Sequence, residues 1–202
     1  FNGLVNDGQI SLFKKKLKKL NFIFQITNKE LKIDDIKFLL NNKNVIIPEL
    51  IALKKDNEFL VSGKLDSRNL NLKKKDIKDF IDNEFLELNL KEITFSANSD
   101  FFFRITQNFK LKNFDIKSTI NLDYLKLNNF LKLKNNFPNI KDEIIFENQK
   151  IQLNYDKDKM EIIGSGNIFL QEELDIINYK IINGKKNFVF DASLKISKNP
   201  FV

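Results

Sequence analysis

The 202-residue chain contains no histidine, no cysteine and no tryptophan. Without Cys and His, zinc centres built from those ligands are excluded. So are Ser–His and Cys–His catalysis, disulfides and thiol redox chemistry. Carboxylate, lysine, tyrosine or hydroxyl chemistry remains, or no chemistry at all. Arginine is scarce as well: the 34 Lys and Arg residues include only Arg68 and Arg104. Bidentate reading of phosphate and guanine leans on arginine. The net charge of +7 therefore supports loose attraction to anionic surfaces and argues against a nucleic-acid partner. Asn, Ile, Lys and Phe, which the chain favours, all have A/T-rich codons, and that bias accounts for much of the basicity. Alanine, the best helix former, occurs only as Ala52, Ala97 and Ala192. No apolar run approaches the roughly 18 residues of a membrane helix, and no signal-peptide pattern opens the chain. We expect an internal piece of a longer protein: one continuous β-rich segment over 1–202, with a possible loop break near 135–139.

What is present is period-2 alternation. Leu20, Phe22, Phe24 and Ile26 share one phase; Phe59, Val61, Gly63 and Leu65 repeat it. Leu86, Leu88 and Leu90 alternate with polar residues. Phe101, Phe103, Ile105, Phe109 and Leu111 face one way, and Phe188, Phe190, Ala192, Leu194 and Ile196 do the same. These read as strands with one apolar and one wet face. Three runs change phase across a polar pair: Asp34-Asp35, Lys91-Glu92 and Lys112-Asn113. Each fits a bulge or a tight turn, and the hairpin turn is the expectation. Further turn signals are Asn41-Asn42, Asp56-Asn57, Asn98-Ser99-Asp100, Asn128-Asn129, Asn135-Asn136, Glu147-Asn148, Asp156-Lys157-Asp158 and Asn183-Gly184. Their spacing predicts antiparallel strands in meander order. One segment is helical in period: Ile77, Phe80, Ile81 and Phe85 lie at i, i+3, i+4 and i+8. A second short helix is expected over Leu125 to Lys134, ending before Pro138. The fold class is thus mainly β: an extended, curved antiparallel meander sheet forming a β-groove, with one or two short helices.

No constellation carries catalytic chemistry. Gly164-Ser165-Gly166 lacks the spacing and the Lys-Ser/Thr of a phosphate loop, and its glycines mark a bulge or close backbone approach. Asp156-Lys157-Asp158 lacks the glycine and distal glutamate of a calcium loop and reads as a hairpin tip. Adjacent acids such as Asp34-Asp35, Asp142-Glu143 and Glu172-Glu173 point to opposite faces of a strand and make no glycosidase pair. The sequence indicates a non-enzyme with no metal site and no cofactor. The lysine-rich run from Phe13 to Lys19, with Lys73 to Lys75, either meets an anionic membrane surface or guards an exposed strand edge; the edge is the expectation. Most of the 21 phenylalanines fall in phase with Ile and Leu, as a buried face does, and not as stacking platforms for bases.

Several stretches resemble a known family. They are Lys29 to Phe38; Phe59 to Asp66 followed by Asn69-Leu70-Asn71-Leu72; and the order Ile144-Ile145-Phe146, Ile151 to Asp156, Ile162 to Ile168, Asp175 to Ile182 and Phe188 to Ile196. In this order the chain resembles the AsmA-like superfamily of bacterial envelope proteins, in particular its YhdP-type branch of repeating-β-groove, bridge-like lipid-transfer proteins. The resemblance implies a non-catalytic module that shelters phospholipid acyl chains between inner and outer membranes. It implies a periplasmic location in an inner-membrane-anchored parent, with a role in outer-membrane biogenesis. Partners would be phospholipid acyl chains and flanking segments of the same parent chain. The expected groove lining is Leu20, Phe22, Phe24, Phe101, Phe103, Ile105, Phe188, Phe190, Leu194 and Ile196. The rival expectation is a closed β-sandwich serving as an adhesin or scaffold with no ligand.

Overall fold

A computed structural model describes residues 1–12, 15–40, 43–77, 90–108, 110–128, 137–185 and 187–198. These residues form β1 (Asn2–Leu12), β2 (Lys15–Ile26), β3 (Glu30–Leu40), β4 (Lys43–Lys55), β5 (Glu58–Lys73), α1 (Lys74–Ile77), β6 (Leu90–Thr106), β7 (Leu111–Asn128), β8 (Glu143–Asp156), β9 (Lys159–Phe169), β10 (Asp175–Asn183) and β11 (Phe188–Lys195). All eleven strands belong to one sheet in strictly sequential order, with β1 and β11 at its edges. The antiparallel meander expected from turn spacing is therefore the fold. Two compact units make up the chain. The first is Phe1–Arg68 with Ala97–Thr119 and Leu153–Met160; the second is Asn69–Ser96 with Ile120–Gln152 and Glu161–Val202.

Strand length depends on residues in the left-handed backbone region. Asp7, Lys19, Asp35, Asn69, Asn113 and Asn148 all have φ between 48° and 53° and sit inside strands. Asp and Asn tolerate this region because their short polar side chains bond locally. In the first unit three of them coincide with register shifts. Between β1 and β2 the register slips near Asp7 and again near Lys19; between β2 and β3 it slips near Asp35 and Lys19. Each adds one residue, which turns every later side chain to the other face. The alternation changes phase at the same points, so the apolar residues stay on one face. Asn21 supports the β1 bulge: its Oδ1 accepts from Asp7 N at 2.9 Å, and its Nδ2 donates to Lys19 O at 2.8 Å. A further slip between Ile46 and Leu50 on β4 surrounds Pro48, which has no N–H to give to a ladder.

The structure corrects several expectations. Asp34-Asp35, Lys91-Glu92 and Lys112-Asn113 are not hairpin turns, because they lie within β3, β6 and β7. Asn98-Ser99-Asp100 and Glu147-Asn148 also lie inside strands. The lysine run is not an edge guard: β2 begins at Lys15 and is paired on both sides, Lys16 with Ser11 on β1 and Lys18 with Leu39 on β3. Residues 13 and 14 fall outside the described set. Residues 125–128, expected to open a helix, end β7, and 129–136 lie outside the described residues. The other expected helix is helical over Lys74–Ile77; its remainder through Phe85 lies outside the described residues, as do Leu86, Leu88 and Phe109. Of the possible break at 135–139, residues 137–139 form a turn closed by Ile140 N to Phe137 O at 3.0 Å.

The phase-switching role of Asp35 is open to test. Asp35→Val forces a β-branched residue into the left-handed region and should lower unfolding free energy by about 1–2 kcal/mol. Asp35→Gly, which adopts that region freely, should leave stability within about 0.5 kcal/mol of the parent. Urea denaturation of both variants checks the contrast.

Candidate functional site

In the first unit, register assembles a transverse apolar row on one face. Gly3 pairs with Phe24, Phe24 with Ile33, Ile33 with Leu50 and Leu50 with Gly63. Phe101 on β6 closes the row by laying its ring over Gly63: a β-carbon there would lie 2.5 Å from Phe101 Cζ and 2.8 Å from Glu49 O. Phe24 covers Gly3 in the same manner. Both glycines therefore leave the sheet surface flat enough for a neighbouring ring. A parallel row runs Ile26, Leu31, Ala52, Val61. Aromatic rings extend the surface at both ends. Phe1 and Phe22 lie 5.7 and 6.0 Å from Phe24. Phe101, Phe103, Phe114 and Tyr155 form a chain with centroid spacings of 5.9, 6.4 and 6.0 Å.

The row is not a sealed core. Among the described residues of this unit only Ile36, Val45 and Val61 are buried hydrophobics. Phe24, Ile33, Leu50, Phe101, Phe103, Phe114 and Tyr155 are half-buried. Six adjacent strands at about 4.8 Å spacing carry the row over roughly 24 Å. One leaflet of a hydrocarbon core is about 15 Å thick, so an acyl chain fits along the row.

The opposite face is mixed: ion pairs stand there beside the exposed Leu4, Ile23 and Leu53. Lys32 lies 3.1 Å from Asp34 and 3.4 Å from Glu49, and the Asp34 carboxylate, more than that of Glu49, holds its ammonium above the usual lysine range. Glu58 meets Lys112 at 3.2 Å and Arg104 at 3.9 Å. These ion pairs occupy the alternate positions of the strands that carry the apolar rows.

The second unit shows the same division. Ile177, Tyr179 and Ile181 pair with Leu194, Ala192 and Phe190 on one face, while Lys180 pairs with Asp191 on the other. Tyr179 lies over Gly164 as Phe101 lies over Gly63, and burial pushes its phenol above the usual range. Gly166 sits against the Asn148–Gln149 backbone, where buried Gln149 donates to Asn167 O at 2.6 Å. Both glycines of Gly164-Ser165-Gly166 thus serve close packing in β9 and make no phosphate loop. Lys157-Asp158, which belong to the first unit, are the tip of the β8–β9 hairpin. Glu143 is gripped by Lys126 and Lys91, which hold its carboxyl below the usual range, Lys126 contributing most.

Of the expected lining residues, Leu20, Phe22 and Phe24 on β2 and Phe101, Phe103 and Ile105 on β6 are half-buried members of the first unit. Phe24 and Phe101 are brought into one row. Phe188, Phe190 and Leu194 on β11, with Ile196 just beyond it, are 70%, 60%, 39% and 46% exposed in the second unit. The expectation missed Ile33, Leu50, Phe114 and Tyr155, which join the surface only through cross-strand register. No family model, no curated protein and no solved structure matches the chain.

Two measurements probe this arrangement. Gly63→Val should drive its side chain into the Phe101 ring and the β4 backbone, lowering unfolding free energy by about 1–3 kcal/mol in chemical denaturation. Glu143→Gln should melt below the parent at neutral pH. Because the Glu143 pKa is depressed in the folded chain, its contribution is present above the unfolded carboxyl value near 4.3 and fades as pH falls through the folded value. Melting temperatures of the two proteins should therefore converge in acid.

Proposed function

We propose that the chain is a non-catalytic lipid-handling module whose apolar sheet face shelters acyl chains for phospholipid transport between inner and outer membranes. One observation carries the reading: the unbroken row Gly3–Phe24–Ile33–Leu50–Gly63–Phe101, half-exposed on one face, with ion pairs on the other. Burying a methylene group is worth about 0.8 kcal/mol, so a sixteen-carbon chain gains roughly 10 kcal/mol from full shelter. A surface of Phe, Ile and Leu supplies that without directional contacts, and a head group stays in water at its margin. The resemblance to AsmA-like bridge proteins points the same way. It adds the periplasm of an inner-membrane-anchored parent as the proposed setting, with flanking segments of that parent as neighbours.

The test uses the two faces of one strand. A photo-reactive benzoylphenylalanine replaces Phe103 in one variant and Arg104 in another, and each protein is irradiated with phospholipid vesicles. Mass spectrometry should find phospholipid attached at 103 and not at 104. Equal labelling at both positions, or none at either, would sink the proposal and favour a ligand-free structural module.

A further inference from the structure

Charge on the apolar side of the first unit has one sign and sits at the ends of strands. Pairing assigns the faces of β3, β4 and β5 as far as Ser67. On the apolar side the charged residues there are Lys43, in phase with Val45, and Lys54, opposite Phe59. Lys29, just before β3, continues the series. Its O accepts from Lys54 N at 2.8 Å, which sets the two lysines side by side. Thr27 holds the turn that carries Lys29: its N donates to Glu30 O at 2.8 Å, and its Oγ1 accepts from Glu30 N at 3.1 Å. The acids stand elsewhere. Glu30 pairs with Leu53, Asp34 with Glu49, Glu58 with Lys55 and Asp66 with Ile46, all on the opposite face. Asp35 fills a bulge and Asp56 a turn. Codon bias adds lysine wherever it falls, but it does not clear acids from one face.

Like charges directly opposite each other destabilise a sheet, so Lys29 and Lys54 are a costly pair. Both are exposed. The ion pairs of this unit engage Lys32, Arg68, Arg104 and Lys112 instead, and among the described residues no carboxylate pairs with either ammonium. One row inward, about 7 Å away, runs Ile26–Leu31–Ala52–Val61. Ile26 and Phe59, beside the lysines, are 43% and 38% exposed. Two cations thus stand at the margin of an apolar strip with no anion of the chain's own between them.

We propose that Lys29 and Lys54 bind the phosphate of a phospholipid whose acyl chains lie on the apolar face, and that the module therefore selects anionic over zwitterionic head groups. The inference rests on the lipid-handling reading and names the lipid class. A glycerol backbone spans the step from the lysine pair to the first apolar row. Lysine binds phosphate as a point charge, so the pair needs no fixed fork. A choline cation next to that phosphate is repelled by the same pair, whereas an uncharged glycerol head group is not.

The full chain carrying benzoylphenylalanine at position 103 is irradiated with vesicles of equimolar phosphatidylglycerol and phosphatidylcholine. Mass spectrometry reads the two attached lipids against a standard mixture. Total label reports acyl shelter, and the ratio of the two lipids reports the lysine pair. With the native lysines the ratio should favour phosphatidylglycerol about threefold or more. Lys29→Gln with Lys54→Gln should bring it to parity, and Lys29→Arg with Lys54→Arg should keep it. Lys37→Gln with Lys64→Gln removes the same charge from the opposite face and should keep it as well. Lys54→Glu gives Lys29 a partner within the chain, so it should abolish the preference without lowering the melting temperature. Circular dichroism verifies that each variant keeps the parent fold. Parity with the native lysines, or equal loss in the Lys37→Gln, Lys64→Gln protein, would overturn this inference and leave acyl binding standing. Absence of either lipid from the labelled protein would overturn both. Loss of the preference in millimolar inorganic phosphate at matched ionic strength would also overturn it and assign the pair to free phosphate.

Discussion

Backbone pairing between sequence neighbours holds this sheet together, and its two faces stay distinct only because left-handed residues re-phase the strands. A slip of one residue moves an entire strand's side chains to the other face. Asp7, Lys19, Asp35, Asn69, Asn113 and Asn148 each sit where the apolar phase changes from odd to even positions, or back. Val5 gives way to Ile10, Leu17 to Leu20, Ile33 to Ile36, Leu65 to Leu70, Leu111 to Phe114 and Phe146 to Ile151. Backbone irregularity and side-chain pattern are therefore one feature: without a bulge, the apolar residues of a strand on the far side of it would turn to the other face.

A single layer of sheet gives an apolar surface no partner within itself. Few of the described hydrophobics are buried, and the largest fully buried side chains are Gln149 and Asp175, which are polar. Asp175 Oδ1 accepts from both Ser197 N and Ser197 Oγ at 2.8 Å, fastening the chain after β11. Ser118 donates to Ser99 at 2.7 Å between neighbouring strands. Polar clasps of this kind fix register where packing is thin, because a buried donor or acceptor without its partner costs about 1–3 kcal/mol. The apolar residues, freed from holding register, form a surface tolerant of a ligand with no fixed shape.

Much of this was legible in the sequence. Alternation exposed the strands, scarce alanine and short turn spacing exposed the meander, and the phase changes marked the bulges. Bulge and hairpin were not separable there, since both favour Asp or Asn with positive φ. The difference lies in whether the two flanking runs pair with each other or both with the same neighbours, and that is non-local. The lysine run misled for a similar reason: charge density does not tell an edge strand from one paired on both sides. The row itself stayed hidden because Ile33 and Leu50 look like any alternating residue until register sets them beside Phe24 and Gly63. Gly63 appeared as one more apolar-phase position, and only the β5–β6 pairing reveals the Phe101 ring above it.

The two sheet edges differ by the same logic. β1 carries a left-handed residue at Asp7 and two register slips against β2, so its outer groups do not form a regular row. Irregularity of that kind discourages a further strand, since pairing needs several N–H and C=O groups in step. β11 keeps constant register with β10 from Ile176–Lys195 to Asn183–Phe188, and its outer groups inherit that regularity. Leu4 on β1 and Phe188 on β11 are similarly exposed, at 68% and 70%, so apolar exposure alone does not separate the edges. Backbone order does: the same bulges that keep the apolar face continuous also interrupt β1, and β11 has none.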